Sequence, residues 1–224
     1  ISGLEKFFDY ELIESENPLI LTVDTDIQFL IREELIKAQE IFKNIGSASI
    51  LMNVNNGNII SMVSLPDFDL NKRQKIIDVN YINRATKGVY ELGSVFKTFT
   101  FAAGLNEGVI DPETPFIGLK KKIMCAGRSI GEYDDNISSD LTAEQILIRS
   151  GNIGSVRIGQ KVGIEKFKLF LKNIGVLNKI EFDIEEVGQP IPFTWGKCKL
   201  ATSSFGHGIT TTPLQLAKGY SIIT

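Results

Sequence analysis

The 224-residue chain predicts an α+β fold, a mainly antiparallel sheet with helices on its faces. Three observations carry this expectation. Two strand-like runs, Ala48–Val54 and Ile59–Ser64, flank Asn56-Gly57, the strongest short-range hairpin signal. Ile27, Leu30, Ile31, Leu35, Ala38 and Phe42 fall on one helical stripe. Further helical patterns with start signals recur downstream, which separates the helices from the hairpin along the chain.

Taken in order, residues 1–21 are mixed and polar with Pro18 near their end, and read as a linker or the edge of another domain. Asp24-Thr25-Asp26 offers N-cap chemistry for a helix from Ile27 to Asn44, with Gly46 closing it. In the hairpin, Ala48, Ile50, Met52 and Val54 point one way and Ser49, Leu51 and Asn53 the other, so both faces are expected to be partly covered. Pro66 to Gly88 reads as irregular, and Gly108 to Leu119, with Pro112 and Pro115, as loop. A helix is predicted from Ser94 to Asn106, a short amphipathic one from Leu141 to Arg149 with Thr142 as N-cap, and another from Gly163 to Asn173. Thr212-Pro213 starts a last helix by placing proline at its first position. That helix meets Thr224 without a stop signal, and the chain opens on Ile1 rather than Met, so the natural polypeptide is expected to extend further.

Composition bounds the function. Hydrophobic residues make up 43% and charged residues 23%, ordinary for a globular protein. A net charge of -3 gives no electrostatic case for nucleic acid. No apolar run is long enough to cross a bilayer. With a single histidine, His207, and two cysteines, there is no recognisable zinc cluster. Cys125 and Cys198 could pair in an oxidising compartment, although two cysteines in a chain of this size are more often unpaired core residues.

The chemistry concentrates in Glu91-Leu92-Gly93-Ser94-Val95-Phe96-Lys97. At positions i and i+3 of a helix, the Ser94 hydroxyl and the Lys97 amine can meet. Serine is a weak nucleophile without a base, and a lysine whose pKa is lowered by burial or positive potential can serve as one. A helix N-terminus supplies that potential, and its unpaired N–H groups can receive an oxyanion. On its own the tetrad is better explained by a helix start capped by Ser94 with a solvated Lys97. A second set, Ser150-Gly151-Asn152, places a hydroxyl that can relay a proton beside an amide that can bind a substrate carbonyl while contacting Lys97. Alone, it also fits a helix C-terminal turn in which Asn152 takes an unusual backbone angle.

Ser-x-x-Lys followed by Ser-x-Asn resembles the active-site set of penicillin-binding proteins and serine β-lactamases. Longer phrases are similar to the class B penicillin-binding proteins, peptidoglycan transpeptidases. These include Gly3-Leu4-Glu5, Leu21-Thr22-Val23-Asp24, Asn83-Arg84-Ala85, Ser150-Gly151-Asn152-Ile153-Gly154 and Phe205-Gly206-His207-Gly208-Ile209 before Thr212-Pro213-Leu214-Gln215. The resemblance implies the penicillin-binding and serine β-lactamase-like transpeptidase fold over 22–224, with 1–21 a linker or the edge of a pedestal domain. It implies Ser94 as acyl-accepting nucleophile, Lys97 as its base, Ser150 as proton shuttle and Asn152 as holder of the substrate amide. The implied substrates are D-Ala–D-Ala stem peptides, with β-lactams as covalent inhibitors and no metal or organic cofactor. The implied setting is the extracytoplasmic side of the inner membrane, beside membrane proteins of cell-wall synthesis or division. A Lys-Thr/Ser-Gly strand, the family's third motif, is not in this sequence. The expectation is therefore a domain incomplete at its C-terminal side, and the stretch from Tyr10 to Leu19 also reads as shortened.

Two other readings stay open at this level. One is a serine β-lactamase or β-lactam sensor of the same fold, for which Glu107, Glu113 and Glu132 are unplaced candidates as deacylating base. The other is a non-catalytic transpeptidase-like scaffold, supported only by the absent third motif; Lys120-Lys121-Lys122 could face a partner but reads more readily as a solvated face. His207, between two glycines, is expected on a tight turn near the cleft rather than in catalysis. Glu91 is expected to make a local contact ahead of the active helix, and Phe193 and Trp195 to pack.

Overall fold

A computed structural model describes residues 3–69, 82–184 and 186–224. In chain order the elements are α1 (Leu4–Phe7), α2 (Asp9–Glu14), α3 (Thr25–Phe42), β1 (Ser47–Met52), β2 (Ile59–Leu65) and a 3-10 turn (Gly93–Phe96) that runs into α4 (Lys97–Asn106). There follow β3 (Pro115–Phe116), β4 (Lys122–Cys125), β5 (Arg128–Gly131), β6 (Leu141–Thr142), α5 (Ala143–Ile148), α6 (Asn152–Val162), α7 (Ile164–Asn173), α8 (Lys197–Ser203) and α9 (Pro213–Ile223). The fold is α+β. Among the described residues the strands form three separate two-stranded antiparallel ribbons, β1-β2, β3-β6 and β4-β5. The irregular stretch expected from Pro66 to Gly88 lies partly, over 70–81, outside the described residues.

The chain divides into two compact units. The first comprises Ile1–Tyr90, Asn178–Pro190 and Thr211–Thr224. Helices α1 and α2 bury no residue. Asp24 caps α3 by accepting from the N–H groups of Asp26 and Ile27, as expected. The helix closes earlier than expected, because Lys43 itself takes the left-handed conformation (φ 53) that Gly46 was expected to supply. Gly46 is needed for space instead, since a Cβ there would lie 2.8 Å from the Leu65 carbonyl oxygen. Two residues of the α3 stripe, Leu30 and Phe42, stay exposed.

The hairpin forms in the expected place, with Ser47 opposite Leu65 and Ile50 opposite Met62. Its connection is longer than a two-residue turn, spanning Asn53 to Asn58, with Gly57 at φ 75. Along β2, Ile59, Ser61, Val63 and Leu65 are buried in alternation. Ile59 packs with Ile180 and Leu214, flanked by Ile50, Met52 and Met62. Helix α9 opens with the expected Thr212 and Pro213, and Thr212 and Gln215 form a reciprocal capping box.

The second unit comprises Glu91–Leu177 and Ile191–Thr210. Its core joins Phe101, Ile110 and Phe116 to Ile146, Ile153, Val156 and Ile158. Thr142 caps α5 in a second capping box, as expected. In this unit α6, α8, the β4-β5 hairpin and the short β3-β6 ribbon lay beyond the sequence reading. Helix α6 is dense in small residues, and these let it approach its neighbours closely. A Cβ on Gly159 would lie 2.0 Å from the Ser204 hydroxyl, and one on Gly154 would lie 2.4 Å from Ile146. The hairpin turns through Ala126 (φ 47) and Gly127 (φ 78), a pair of positive φ angles suited to a two-residue turn. Cys125 at the end of β4 is bonded to Cys198 on α8, the less common of the two alternatives the sequence left open. Nothing local in the sequence brings these cysteines together, since 73 positions separate them. Phe193 and Trp195 pack as expected, Trp195 edge-on against Phe167 and Lys199 over the Phe193 ring at 3.9 Å.

Candidate active site

Ser94 sits in the 3-10 turn, exposed to solvent, and Lys97 opens α4 one turn on. The expected helix therefore begins tighter than an α-helix, and its first buried side chains, Phe96 and Phe99, pack edge-to-face with ring centroids 5.1 Å apart. These anchor the turn, so Lys97 points inward and is only 1% exposed. This rules out the solvated lysine of the alternative reading. The Lys97 amine donates to the Ser94 hydroxyl at 3.1 Å, the Ser150 hydroxyl at 2.9 Å and the Ser150 carbonyl at 2.5 Å. An ammonium has three protons, and each finds an oxygen. Burial pushes the lysine pKa down to about 8, while the negative charge of Glu132 pulls it upward.

Ser150 reaches Lys97 because of how α5 ends. The Ser150 N–H donates to the Leu147 carbonyl and the Gly151 N–H to the Ile146 carbonyl, which reverses the chain. Ser150 takes the left-handed conformation, φ 52, unusual for a residue with a Cβ. The unusual backbone angle that the alternative reading placed at Asn152 thus belongs to Ser150, and Asn152 is the first residue of α6. The Asn152 side chain lines the cleft, but its amide nitrogen donates to the Gly131 carbonyl at 2.9 Å, and the Lys97 amine is committed to the two serines. The structure thus brings Ser94 and Ser150 each into direct contact with Lys97, with Asn152 on the cleft wall.

Glu132 is the site residue that the sequence reading left unplaced. Its carboxylate accepts the N–H of Asn152 at 2.6 Å and of Ile153 at 2.9 Å. A signal was available: α6 begins after Gly151, which has no side chain to cap it, so a remote acceptor was required. Of the other two glutamates, Glu107 is held by Lys166 at 2.7 Å, which lowers its pKa, and Glu113 is exposed.

The cleft, about 390 Å³, is lined by Ser94, Lys97, Ser150 and Asn152 together with Glu91, Glu132, Tyr133, Asp134, Arg149, Phe205, Gly206 and His207, among others. Instead of the local contact expected ahead of the active helix, the Glu91 carboxylate lies 3.0 Å from Nδ1 of His207, a residue far along the chain. The His207 ring lies parallel to Phe205 with centroids 6.1 Å apart, in a turn with Gly206 at φ 82 and Gly208 at φ 69. Asp134 pairs with Arg149 and is held below the usual carboxylate range, first by the Asn136 N–H and then by that arginine. Lys121 is tied to the carbonyls of Asp135 and Ile137 rather than presented to a partner. Among the described residues there is no group of three or more His, Cys, Asp or Glu placed to hold a metal ion.

A family model described as "Penicillin binding protein transpeptidase domain" matches residues 47–224. The chain belongs to this family. Among its relatives is the "Probable peptidoglycan D,D-transpeptidase FtsI" of Caulobacter vibrioides, 32% identical over all of this chain and 38% of that protein. Another is the "Probable peptidoglycan D,D-transpeptidase PenA" of Neisseria flavescens, 30% identical over 92% of this chain and 51% of that protein. "Stage V sporulation protein D" of Bacillus subtilis is 31% identical over 87% of this chain and 31% of that protein. The chain thus spans about half or less of the length of these relatives. A solved structure titled as a peptidoglycan glycosyltransferase from Burkholderia ambifaria superposes with a TM-score of 0.76, at 25% identity, covering 90% of this chain and 60% of that one. The fold is also that of the transpeptidase domain of Burkholderia pseudomallei penicillin-binding protein 3, with a TM-score of 0.77 at 24% identity over 92% of this chain and 59% of that one.

Proposed function

We propose that this chain carries the acylating site of a penicillin-sensitive peptidoglycan D,D-transpeptidase. The observation that carries the reading is the Lys97 amine, 1% exposed, hydrogen-bonded to both the Ser94 and the Ser150 hydroxyls. In its neutral form Lys97 takes the Ser94 proton as Oγ attacks the carbonyl carbon of the D-Ala–D-Ala amide. The tetrahedral intermediate collapses by breaking the C–N bond, and Ser150 passes a proton from the lysine to the departing D-Ala nitrogen. An acyl-enzyme ester remains on Ser94. An amine from a neighbouring strand then attacks the ester, gives a proton back through the same pair, and frees the Ser94 hydroxyl. Asn152, on the cleft wall, takes the backbone amide of the stem peptide. A β-lactam follows the first half of the path, but its opened amide stays tethered in the cleft, so the ester persists.

Relatives named as peptidoglycan D,D-transpeptidases support the substrate class. The Cys125–Cys198 disulfide supports an extracytoplasmic setting, where such bonds persist. We place the domain on the outer face of the inner membrane, working with membrane proteins of cell-wall synthesis or division. The test is release of D-Ala, and its replacement by a labelled amine, from a D-Ala–D-Ala pentapeptide by the full-length protein. Activity lost in Ser94→Ala supports the reading. Exchange that persists in Ser94→Ala overturns it.

A further inference from the structure

We propose that Glu132 is a positioning residue for acylation: its carboxylate, bound to the Asn152 and Ile153 N–H groups, pins the Ser150–Asn152 turn against the Lys97 amine. This rests on the proposed role of Ser94 and Lys97.

Four observations converge on it. Helix α6 starts without a side-chain cap of its own, because Gly151 occupies that place. Its first two N–H groups would be orphaned, and Glu132 takes one on each oxygen, a charge-assisted pair at the positive end of an 11-residue helix. The Gly131 carbonyl takes the Asn152 side-chain amide, so two consecutive residues at the end of β5 grip both the backbone and the side chain of Asn152. Ser150, two residues before Asn152, is held at φ 52, a conformation that survives only when its surroundings impose it. That conformation turns the Ser150 carbonyl and hydroxyl onto Lys97.

The same carboxylate acts on Lys97 through space, opposing the effect of burial. The other carboxylates of the cleft face partners of their own, Asp134 paired with Arg149 and Glu91 beside the His207 ring. Glu132 thus has two effects, one on where Ser150 sits and one on when Lys97 releases its proton. Both are lost in Glu132→Gln, where the amide can accept only one of the two N–H groups and sets a donor against the other.

The test uses the full-length protein and measures the second-order rate of covalent labelling by a fluorescent penicillin from pH 6 to 9.5. Wild-type labelling at Ser94 first establishes the parent reading, and its absence would overturn that reading by itself. Given wild-type labelling, Glu132→Gln is expected to lower the high-pH plateau by roughly ten- to a hundred-fold. It should also move the midpoint of the acidic limb down by about half a pH unit, because the lysine loses a stabilising negative charge. Glu132→Asp, which keeps the charge, should return the midpoint towards the wild-type value. A second measurement is independent of acylation: amide exchange at Asn152 and Ile153 should speed up in Glu132→Gln while the α4 amides stay protected. An unmoved midpoint, or unchanged exchange at those two amides, overturns the proposal.

Discussion

The buried lysine makes its sharpest prediction through pH. An ordinary lysine with a pKa of 10.5 would be neutral in only about 0.03% of molecules at pH 7. Burial lowers Lys97 to about 8. At that value about 9% of molecules carry the free amine at pH 7, a gain of about 300-fold in competent base. Acylation of Ser94 by a slowly reacting penicillin, measured by rapid quench, should therefore rise about tenfold per pH unit between 6 and 7.5 and level off above about 8.5. The same shift bears on stability. The unfolded lysine holds a proton that the folded one has released between pH 8 and 10.5, so this group makes the fold more stable as pH rises through that window. Lys97→Met should abolish the acidic limb together with nearly all acylation. A rate that is flat from pH 6 to 9, or one that climbs with a midpoint above 10, would refute the reasoning.

Two further predictions concern the walls of the site. A Cβ on Gly206 would lie 1.9 Å from the Gly93 carbonyl oxygen, at a backbone φ of 82. Gly206→Ala should therefore displace the turn bearing Ser94 and cut penicillin labelling at least tenfold, beyond the cost of about 1–2 kcal/mol for the left-handed backbone; labelling at the wild-type rate would contradict the packing described. Replacing both Cys125 and Cys198 by serine opens a loop with a sequence separation of 73. Chain entropy puts the loss at about 4 kcal/mol, measurable as a lower denaturant midpoint relative to the wild type kept oxidised, and an unchanged midpoint would count against it.

Much of this architecture is legible in the sequence, and the divisions have physical reasons. Caps are local, so Asp24, Thr142 and Thr212 announce their helices within four residues. The Asn56-Gly57 hairpin is equally local, although its longer connection was not foreseen. Helix α6 escaped because Gly154, Ser155 and Gly159 dilute its apolar stripe, and their smallness serves close packing rather than periodicity. The β4-β5 hairpin is short, with four residues in each strand and few strand formers. Ser94 and Lys97 are legible because one helical turn joins them. The contact of Lys97 with Ser150, 53 residues away, follows from a family pattern rather than from local chemistry. Glu132 and the cysteine pair depend on contacts between segments distant in the chain, which no local spacing encodes. The unusual backbone angle that the alternative reading put at Asn152 lies at Ser150, because the N–H groups of Ser150 and Gly151 already reverse the chain at the end of α5.

The central claim is that Ser94 forms an acyl-enzyme with Lys97 as its base. Intact-mass and peptide-mapping mass spectrometry after incubation with benzylpenicillin tests it most directly. The account predicts a mass increase of one penicillin, localised to the peptide bearing Ser94, absent in Ser94→Ala and strongly slowed in Lys97→Met. An adduct at another residue, or none on the full-length wild-type protein, would contradict it.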